Sequence, residues 1–316
     1  LIRIDKFLLL RLPNTSRNKI QKSILSGCVF CNDFQVKSNY KVKPYDKISI
    51  RFEYEPYNKE IIPEDISIDI VFEDSDIVVV NKPSNMVVHP SYGHYSGTLV
   101  HALLYKYRDI KSSSENQRPG LVHRLDKNTT GLMVVARNSF SLSHLSDQFS
   151  NRTITRTYLA LVWGDIKNDD GTILGNIGRN KKNRKLMTVF EDLDEGKHAV
   201  THYQVIERFR YVTLVKCKLE TGRTHQIRVH MKYLGHPLFN DFEYGGDKIL
   251  RGTTFTKYKQ FVNNCFKLLP RQALHAIQLS LVHPKSHEVM NFESSLPADM
   301  SDVIERWRSY VKNTLN

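Results

Sequence analysis

Residues 158–163, Tyr-Leu-Ala-Leu-Val-Trp, are apolar on both faces of an extended chain. A strand of this kind has to be covered on both sides, so the run predicts a strand in the centre of a sheet. Residues 77–80 predict another buried strand. Residues 199–209 and 211–219 predict a long antiparallel hairpin with a tight turn near Arg210.

Helices are interspersed among these strands. Residues 224–234 predict a helix that buries Ile227, Met231 and Leu234, and Ser139 is typical of a helix N-cap. A closing helix is predicted from residue 301. Hairpins and helices mixed in this way, without regular βαβ units, indicate an α+β fold built on a mixed sheet.

Length and charge indicate two domains and a polyanionic partner. At 316 residues the chain exceeds one typical domain, and its net charge is +13. Residues 1–50 carry ten Lys/Arg against three Asp/Glu, a net charge of +7. A merely lysine-rich soluble surface is the alternative, but a basic module at one end of the chain favours nucleic acid binding.

Composition excludes several classes of protein. Hydrophobic residues make up 40% of the chain, and no apolar run approaches the length of a membrane span. The start, Leu1-Ile2-Arg3, lacks the features of a signal peptide, and the absence of an initiating Met suggests trimming.

Four cysteines do not form a disulfide framework, and the lone pair Cys28-x-x-Cys31 cannot complete a zinc site. We expect a cytoplasmic monomer without a metal or cofactor.

The chain divides by pattern into residues 1–52, a proline-punctuated linker at 53–64, and residues 65–316. In the first part, a short helix from Asp5 to Arg11 stops at Pro13, and Thr15-Ser16 caps a second helix. That helix buries two isoleucines and exposes three cations, which are Arg17, Lys19 and Lys22. Short β-type segments follow.

The stretch His123-Arg124-Leu125-Asp126 is followed by Lys127-Asn128-Thr129-Thr130-Gly131, and apolar β-type residues lie on both sides. This pattern predicts a strand, a polar turn and a second strand, with Asp126 held rigidly where the first strand ends. From spacing alone, an aspartate that caps the turn is the favoured interpretation, because Asp and Thr bond turn backbones readily.

The run His-Arg-Leu-Asp-x-x-Thr-Thr-Gly resembles the nucleophile motif of the RluA/RluD family of RNA pseudouridine synthases. The resemblance implies a pseudouridine synthase fold, which is a long, mostly antiparallel mixed sheet in two lobes with a central cleft. It also implies the isomerisation of uridine to pseudouridine, which needs an ionised carboxylate and no cofactor.

The resemblance assigns three catalytic roles. Asp126 matches the family's carboxylate, and residues 221–228 resemble its third motif, in which Arg228 matches the arginine that pairs with that carboxylate. Arg223, near the start of the same helix, suits a phosphate. Tyr158 matches the tyrosine that stacks on the flipped base and serves as acid or base. Whether Asp126 attacks the sugar covalently or removes a sugar proton stays open.

Further residues are expected to contact RNA. Arg124, beside His123, is expected to fill the space left by the flipped uridine or to contact its phosphate. Asn81-Lys82-Pro83 and Leu274-His275-Ala276 resemble family segments that line the cleft and pack under the base. Five cations within seven residues, here called the basic loop, predict a segment that grips RNA, and the compatible alternative is a disordered basic turn. They are Arg179, Lys181, Lys182, Arg184 and Lys185.

Residues 1–52 resemble an S4 RNA-binding domain, a small α/β module, through Arg3-Ile4-Asp5, Ser16-Arg17 and the stretch from Gly27 to Asn32. With that module the chain is similar to the RluD branch, which implies large-subunit (23S) ribosomal RNA as partner and a role in ribosome biogenesis. The same reaction on tRNA and a non-catalytic RNA-binding assembly factor are the alternatives.

Metal-dependent alternatives lack their motifs. A zinc deaminase needs His-x-Glu with a downstream Pro-Cys-x-x-Cys, and neither occurs. The spacing of His225, His230 and His236 does not match a zincin helix. Residues 239–271 are longer than a plain connection needs, and the sequence indicates no function for them.

Overall fold

A computed structural model describes residues 2–12, 15–51, 61–91, 93–110, 118–191 and 194–315. The chain forms two compact units, Leu1–Glu60 and Ile61–Asn316. Most of the predicted linker, residues 53–60, lies outside the described residues. Glu64, at the end of that predicted linker, belongs to the second unit, where it accepts a hydrogen bond of 3.0 Å from the backbone of Gly97. The predicted domain boundaries stay a prediction.

The first unit packs two helices against a small antiparallel sheet. The helices are α1 (Ile4–Arg11) and α2 (Arg17–Leu25), and the strands are β1 (Val29–Cys31), β2 (Phe34–Gln35) and β3 (Ile48–Ile50), in the order β2-β1-β3. Ser16 caps α2 by accepting a hydrogen bond from the backbone of Lys19, as its sequence predicts. The core consists of Ile4, Leu8, Ile20, Ile24 and Val29.

The second unit is built on one sheet of ten strands. Those that precede the long hairpin are β4 (Asp69–Glu73), β5 (Ile77–Lys82), β6 (Thr130–Ala136), β7 (Thr155–Trp163), β8 (Asp170–Arg179) and β9 (Met187–Phe190). The remaining strands are β10 (Lys197–Arg208), β11 (Val212–Leu219), β12 (Leu274–Val282) and β13 (Val289–Glu293). The order is β4-β5-β6-β12-β7-β11-β10-β8-β9, and β13 pairs with β12. The predicted α+β class with a mixed, mostly antiparallel sheet is confirmed.

Among the described residues of the second unit, five helices accompany this sheet. They are α3 (Leu99–Lys106), α4 (Ser139–Ser150), α5 (Gln226–Tyr233), α6 (Thr256–Leu268) and α7 (Ala298–Leu315). The described helices include none that is both long and apolar enough to cross a membrane.

Strand β12 joins the two halves of the sheet. Its first residues lie between β6 and β7, and its last residues pair with β13. The β6–β12 pair is parallel and has only two residue pairs, His275 with Thr130 and Ala276 with Gly131. Gly131 has φ +113°, and a Cβ there would lie 2.2 Å from the carbonyl oxygen of Ala276. Only glycine allows the two strands to approach this closely.

Several predicted elements are confirmed. Strand β7 lies between β12 and β11 in the middle of the sheet. The long hairpin is formed by β10 and β11, and Arg210 in its turn has φ +66°.

Other predictions were wrong in detail. Leu121 makes a single bridge to Val135 rather than a strand, and the residues from His123 to Asp126 have no regular structure. Leu234 is 38% exposed because α5 ends before it. Asn138, not Ser139, caps α4, and α7 begins three residues before the predicted start.

Candidate active site

Asp126 opens a tight turn that leads into β6. The backbone N–H of Thr129 donates to the carbonyl of Asp126 at 3.1 Å. Lys82 lies beneath this turn with 1% of its surface exposed. Its ammonium donates to the carbonyls of Pro83, Met86 and Lys127 at 2.6, 3.0 and 3.1 Å. Three acceptors match the three N–H donors of a lysine, so Lys82 ties the turn to the end of β5.

The other side of the turn is held by residues just before and at the start of β12. Arg271 donates to the carbonyl of Asn128 at 3.2 Å, and Gln272 donates to the hydroxyl of Thr129 at 3.2 Å. The hydroxyl of Thr130 and Nδ1 of His275 lie 2.8 Å apart. Both lobes of the sheet therefore contribute to the position of the Asp126 carboxylate.

Arg228 on α5 reaches that carboxylate. Its Nη1 donates to Oδ2 of Asp126 at 3.2 Å. The same guanidinium donates from Nε and Nη2 to the two oxygens of Asp241 at 2.7 and 2.8 Å. Nη2 also donates to Glu243 at 2.6 Å. The side chain of Arg228 is 4% exposed. This one buried cation therefore forms ion pairs with three carboxylates.

Electrostatics keep this cation charged. Burial disfavours the charged form of Arg228, but the hydrogen bonds to Asp241 and the charges of Asp126 and Glu243 outweigh it, so its pKa is raised. Burial lowers the pKa of Lys82 to about 7, and the negative charge of Asp126 opposes that shift. The charges of two buried basic side chains therefore act on Asp126, which remains 18% exposed.

A cavity of about 470 Å³ opens over Asp126. Its walls come from residues 122–126 and Thr129, from the end of α4, from β7 and from residues 219–228, which lead into α5. This volume falls within the range of pockets that hold small organic ligands, and a nucleotide is of that size. Leu274 contributes an apolar wall.

Tyr158 faces the same cavity from β7. It is 6% exposed, and burial together with the charge of Asp126 raises the pKa of its phenol, against the opposing charge of Arg156. Tyr158 is therefore a neutral phenol that combines an aromatic face with a single exchangeable proton.

Among the predicted RNA contacts, Arg124, Arg223 and His123 all line the cavity. Arg124 is exposed, and Arg223 donates to the carbonyl of His198 at 3.0 Å. His123 stacks on Phe149 and accepts a hydrogen bond from a β6 backbone N–H. Burial lowers its pKa to about 3, so it contributes a neutral ring rather than a charge.

The remaining predicted RNA contacts lie elsewhere. The basic loop joins β8 to β9, where Arg179, Lys182 and Arg184 are exposed and Arg179 donates to the carbonyl of Arg184 at 2.7 Å. Lys19 and Lys22 are exposed on α2 of the first unit. Arg17 is half-exposed and pairs with the buried Asp5 at 3.0 Å, so part of its charge is already compensated.

Sequence reasoning missed Asp241, Glu243 and Tyr244. All three lie in the 239–271 stretch, and the aromatic ring of Tyr244 lies 4.9 Å from the guanidinium carbon of Arg228. Gly245-Gly246 signals a tight turn after them, but no spacing in the sequence relates this turn to α5. Lys82 was expected to line the cleft and instead lies buried behind the Asp126 turn.

At one place in the described part of the chain, three side chains of types that can bind a metal ion lie close together. Potential ligand atoms of Asp74, Asp76 and His283 lie within 4.8 Å of one another. They already bond one another or nearby groups, since His283 pairs with Asp74 at 2.8 Å and Asp76 accepts from Asn138 and Ser141. The group has the character of a structural polar cluster.

Residues 76–233 match the RNA pseudouridylate synthase family, and the chain belongs to that family. It is therefore an isomerase that converts uridine in RNA to pseudouridine. The chain is 45% identical over 306 residues to a protein of Bacillus subtilis (strain 168) named uncharacterized RNA pseudouridine synthase YlyB, covering 97% of this chain and 94% of that protein.

Two further comparisons agree with this assignment. The chain is 41% identical over 307 residues to ribosomal large subunit pseudouridine synthase D of Vibrio parahaemolyticus, covering 97% of this chain and 91% of that protein. The solved structure of human RNA pseudouridylate synthase domain containing 4 is similar with a TM-score of 0.58 and 25% identity, covering 76% of this chain and 93% of that one.

Proposed function

We propose that this protein isomerises specific uridines of large-subunit ribosomal RNA in the cytoplasm, with Asp126 as the catalytic carboxylate. The contact that carries the proposal is the 3.2 Å hydrogen bond from Arg228 to Asp126 at a nucleotide-sized cavity. A cation in contact with a carboxylate stabilises its anionic form, and the reaction needs an ionised carboxylate at the junction of sugar and base. The ribosomal substrate is supported by relatives named ribosomal large subunit pseudouridine synthase D.

The reaction breaks the bond between N1 of uracil and C1′ of ribose, turns the base and rejoins it through C5. Asp126 acts at the sugar, either as a nucleophile at C1′ or as a base that removes a sugar proton. Tyr158 stacks on the flipped uracil and handles the C5 proton. Arg228 holds the carboxylate through all these steps.

RNA is held by cations around this centre. Arg124 occupies the space that the flipped uridine leaves, and Arg223 contacts a phosphate, since both line the cavity. The basic loop grips the backbone farther along the RNA. The first unit is an S4-like module that places the enzyme on its substrate through Arg17, Lys19 and Lys22.

The test is to incubate the purified protein with unmodified large-subunit ribosomal RNA and, separately, with tRNA, and to map pseudouridine in each. Asp126→Asn is the control, because it keeps the shape of the side chain and removes its charge. We expect modification of ribosomal RNA by the parent and none by the variant, with RNA affinity nearly unchanged. Turnover by Asp126→Asn at even about one tenth of the parent rate would exclude the role of Asp126. Modification of tRNA alone would exclude the ribosomal substrate.

A further inference from the structure

His225 lies against the carboxylate of Asp126 and has no part in the proposed chemistry. Its Nε2 lies 3.8 Å from Oδ1 of Asp126, the oxygen that Arg228 does not bind. The side chain of His225 is 16% exposed, and the residue has φ +56° at the start of α5. A residue other than glycine in the left-handed region costs conformational energy, and such strain is often kept at functional sites.

The contact of the second ring nitrogen, Nδ1, indicates which nitrogen of His225 carries the ring proton. Nδ1 of His225 and the hydroxyl of Tyr244 are 2.8 Å apart, and that hydroxyl also accepts a hydrogen bond from the backbone N–H of Met187 at 3.0 Å. We assign the hydroxyl of Tyr244 as the donor to Nδ1. Nδ1 is then the acceptor nitrogen of the neutral ring, and the ring proton lies on Nε2. The proton-bearing nitrogen of His225 is then the one that lies 3.8 Å from Oδ1 of Asp126.

Tyr244 is itself held in place. It is 2% exposed, its ring lies edge-on to His225 and against the guanidinium of Arg228, and it follows the buried Asp241 by three residues. Met187, which donates to its hydroxyl, is the first residue of β9 and follows the basic loop. A chain of polar contacts thus leads from the strand beside the basic loop to the carboxylate.

We propose that His225, held by Tyr244, is a positioning residue whose Nε2–H orients the free oxygen of Asp126 toward the sugar of the bound uridine. This inference rests on the proposed function, because the role of His225 presupposes the catalytic role of Asp126. The gap of 3.8 Å shortens to a hydrogen bond when RNA closes the cavity, since catalytic hydrogen bonds are often long in the free enzyme. Arg228 fixes one oxygen of the carboxylate, and His225 fixes the other.

Four charged groups act on His225. Asp126, Arg228, Glu243 and Asp241 face His225, and burial lowers its pKa below the usual range. At neutral pH the ring is therefore a neutral donor. The charge of Lys82 also acts on Asp126. Loss of the His225 donor leaves the negative charge of Asp126 with one nearby N–H group fewer.

The experiment compares His225→Leu with His225→Gln in the full-length protein. Both changes leave a side chain that is strained in the left-handed region, but only glutamine keeps an N–H donor. We expect His225→Leu to lower kcat about tenfold with KM unchanged, and to move the acid limb of the pH–rate profile upward. His225→Gln should recover much of both. Tyr244→Phe, which keeps the ring and removes the hydroxyl, should lower kcat in the same direction.

The matched control is His287→Leu, because His287 is an exposed histidine with φ +59° in the turn between β12 and β13. It should leave kcat and the pH profile unchanged. A parent-like His225→Leu enzyme would overturn the inference, and so would a loss of kcat with an unmoved acid limb, equal in the leucine and glutamine variants. A parent protein that forms no pseudouridine would instead contradict the proposed function.

Discussion

Arg228 and Asp241 form a buried ion pair in which two N–H groups of one side chain meet the two oxygens of the other, at 2.7 and 2.8 Å. Asp241 is completely buried. A guanidinium held by two parallel hydrogen bonds cannot rotate, so its remaining nitrogen has a fixed direction. That direction is toward Asp126.

Asp241→Asn tests this relationship. The amide keeps the shape but removes the negative charge that orients the guanidinium, so we expect kcat to fall at least about tenfold. The free energy of unfolding should fall by about 3 to 5 kcal/mol, because the change breaks a buried ion pair. Chemical denaturation and single-turnover kinetics measure the two effects. Asp165→Asn removes a partly exposed partner of Arg208 and should cost less than about 1 kcal/mol. Parent-like turnover of Asp241→Asn would mean that Arg228 needs no second anchor.

Arg228→Met should abolish most activity and move the acid limb of the pH–rate profile upward, because Asp126 loses its cation. The single change also leaves the charge of Asp241 buried without its cation, with only the backbone N–H of Tyr244 as donor among the described residues. The double variant Arg228→Met with Asp241→Leu removes that unpaired charge and should be the more stable protein. Its activity should nonetheless stay as low as that of the single variant. An unchanged acid limb in the double variant would make Arg223 the better partner for Asp126.

The sequence predicted the parts of this site that lie on regular elements or in motifs. Strand β7 was predictable because its residues are apolar on both faces, and the family motifs placed Asp126, Tyr158 and Arg228. Asp241 was not predictable, because the 239–271 stretch has no periodicity that relates it to α5. The prediction of a strand before Asp126 was wrong, because Leu121 pairs with β6 at a single residue. A short apolar run does not reveal how far strand pairing extends.

Stability should decrease in mild acid through buried histidines. Burial lowers the pKa of His275 from near 6.5 to about 4, and its ring is bonded to Thr130 and Ser294. The unfolded chain therefore binds more protons between pH 6.5 and 4, so stability is full above this window and lost as the pH falls through it. His275→Gln should lose less stability across the window, by up to about 3 kcal/mol. Urea denaturation at pH 7 and pH 4.5 measures this difference. The exposed control His287→Gln should keep the parent's pH dependence, and an equal loss in His275→Gln would contradict the assignment.

Deletion of residues 1–60 should leave a folded second unit, because the two units have separate cores. Residues 1–50 carry a net charge of +7 and none of the catalytic motifs. The truncated enzyme should bind ribosomal RNA more weakly, and its affinity should fall less steeply with salt, since each lost phosphate contact releases one counterion fewer. Turnover at saturating RNA should change far less. Identical salt slopes for parent and truncation would show that the first unit does not contact RNA.

We expect the two-residue junction between β6 and β12 to determine when this enzyme becomes active during its own synthesis. Thr130 and His275 are separated by 145 positions in the chain. A ribosome therefore makes Asp126 long before it makes the residues that brace the turn from the β12 side. Contacts between such distant segments form late, because a long loop must close first. A nascent chain that stops short of β12 contains Asp126 but lacks the contacts from Arg271, Gln272 and His275 that hold its turn. We therefore expect pseudouridine synthesis to begin only after the two lobes have met.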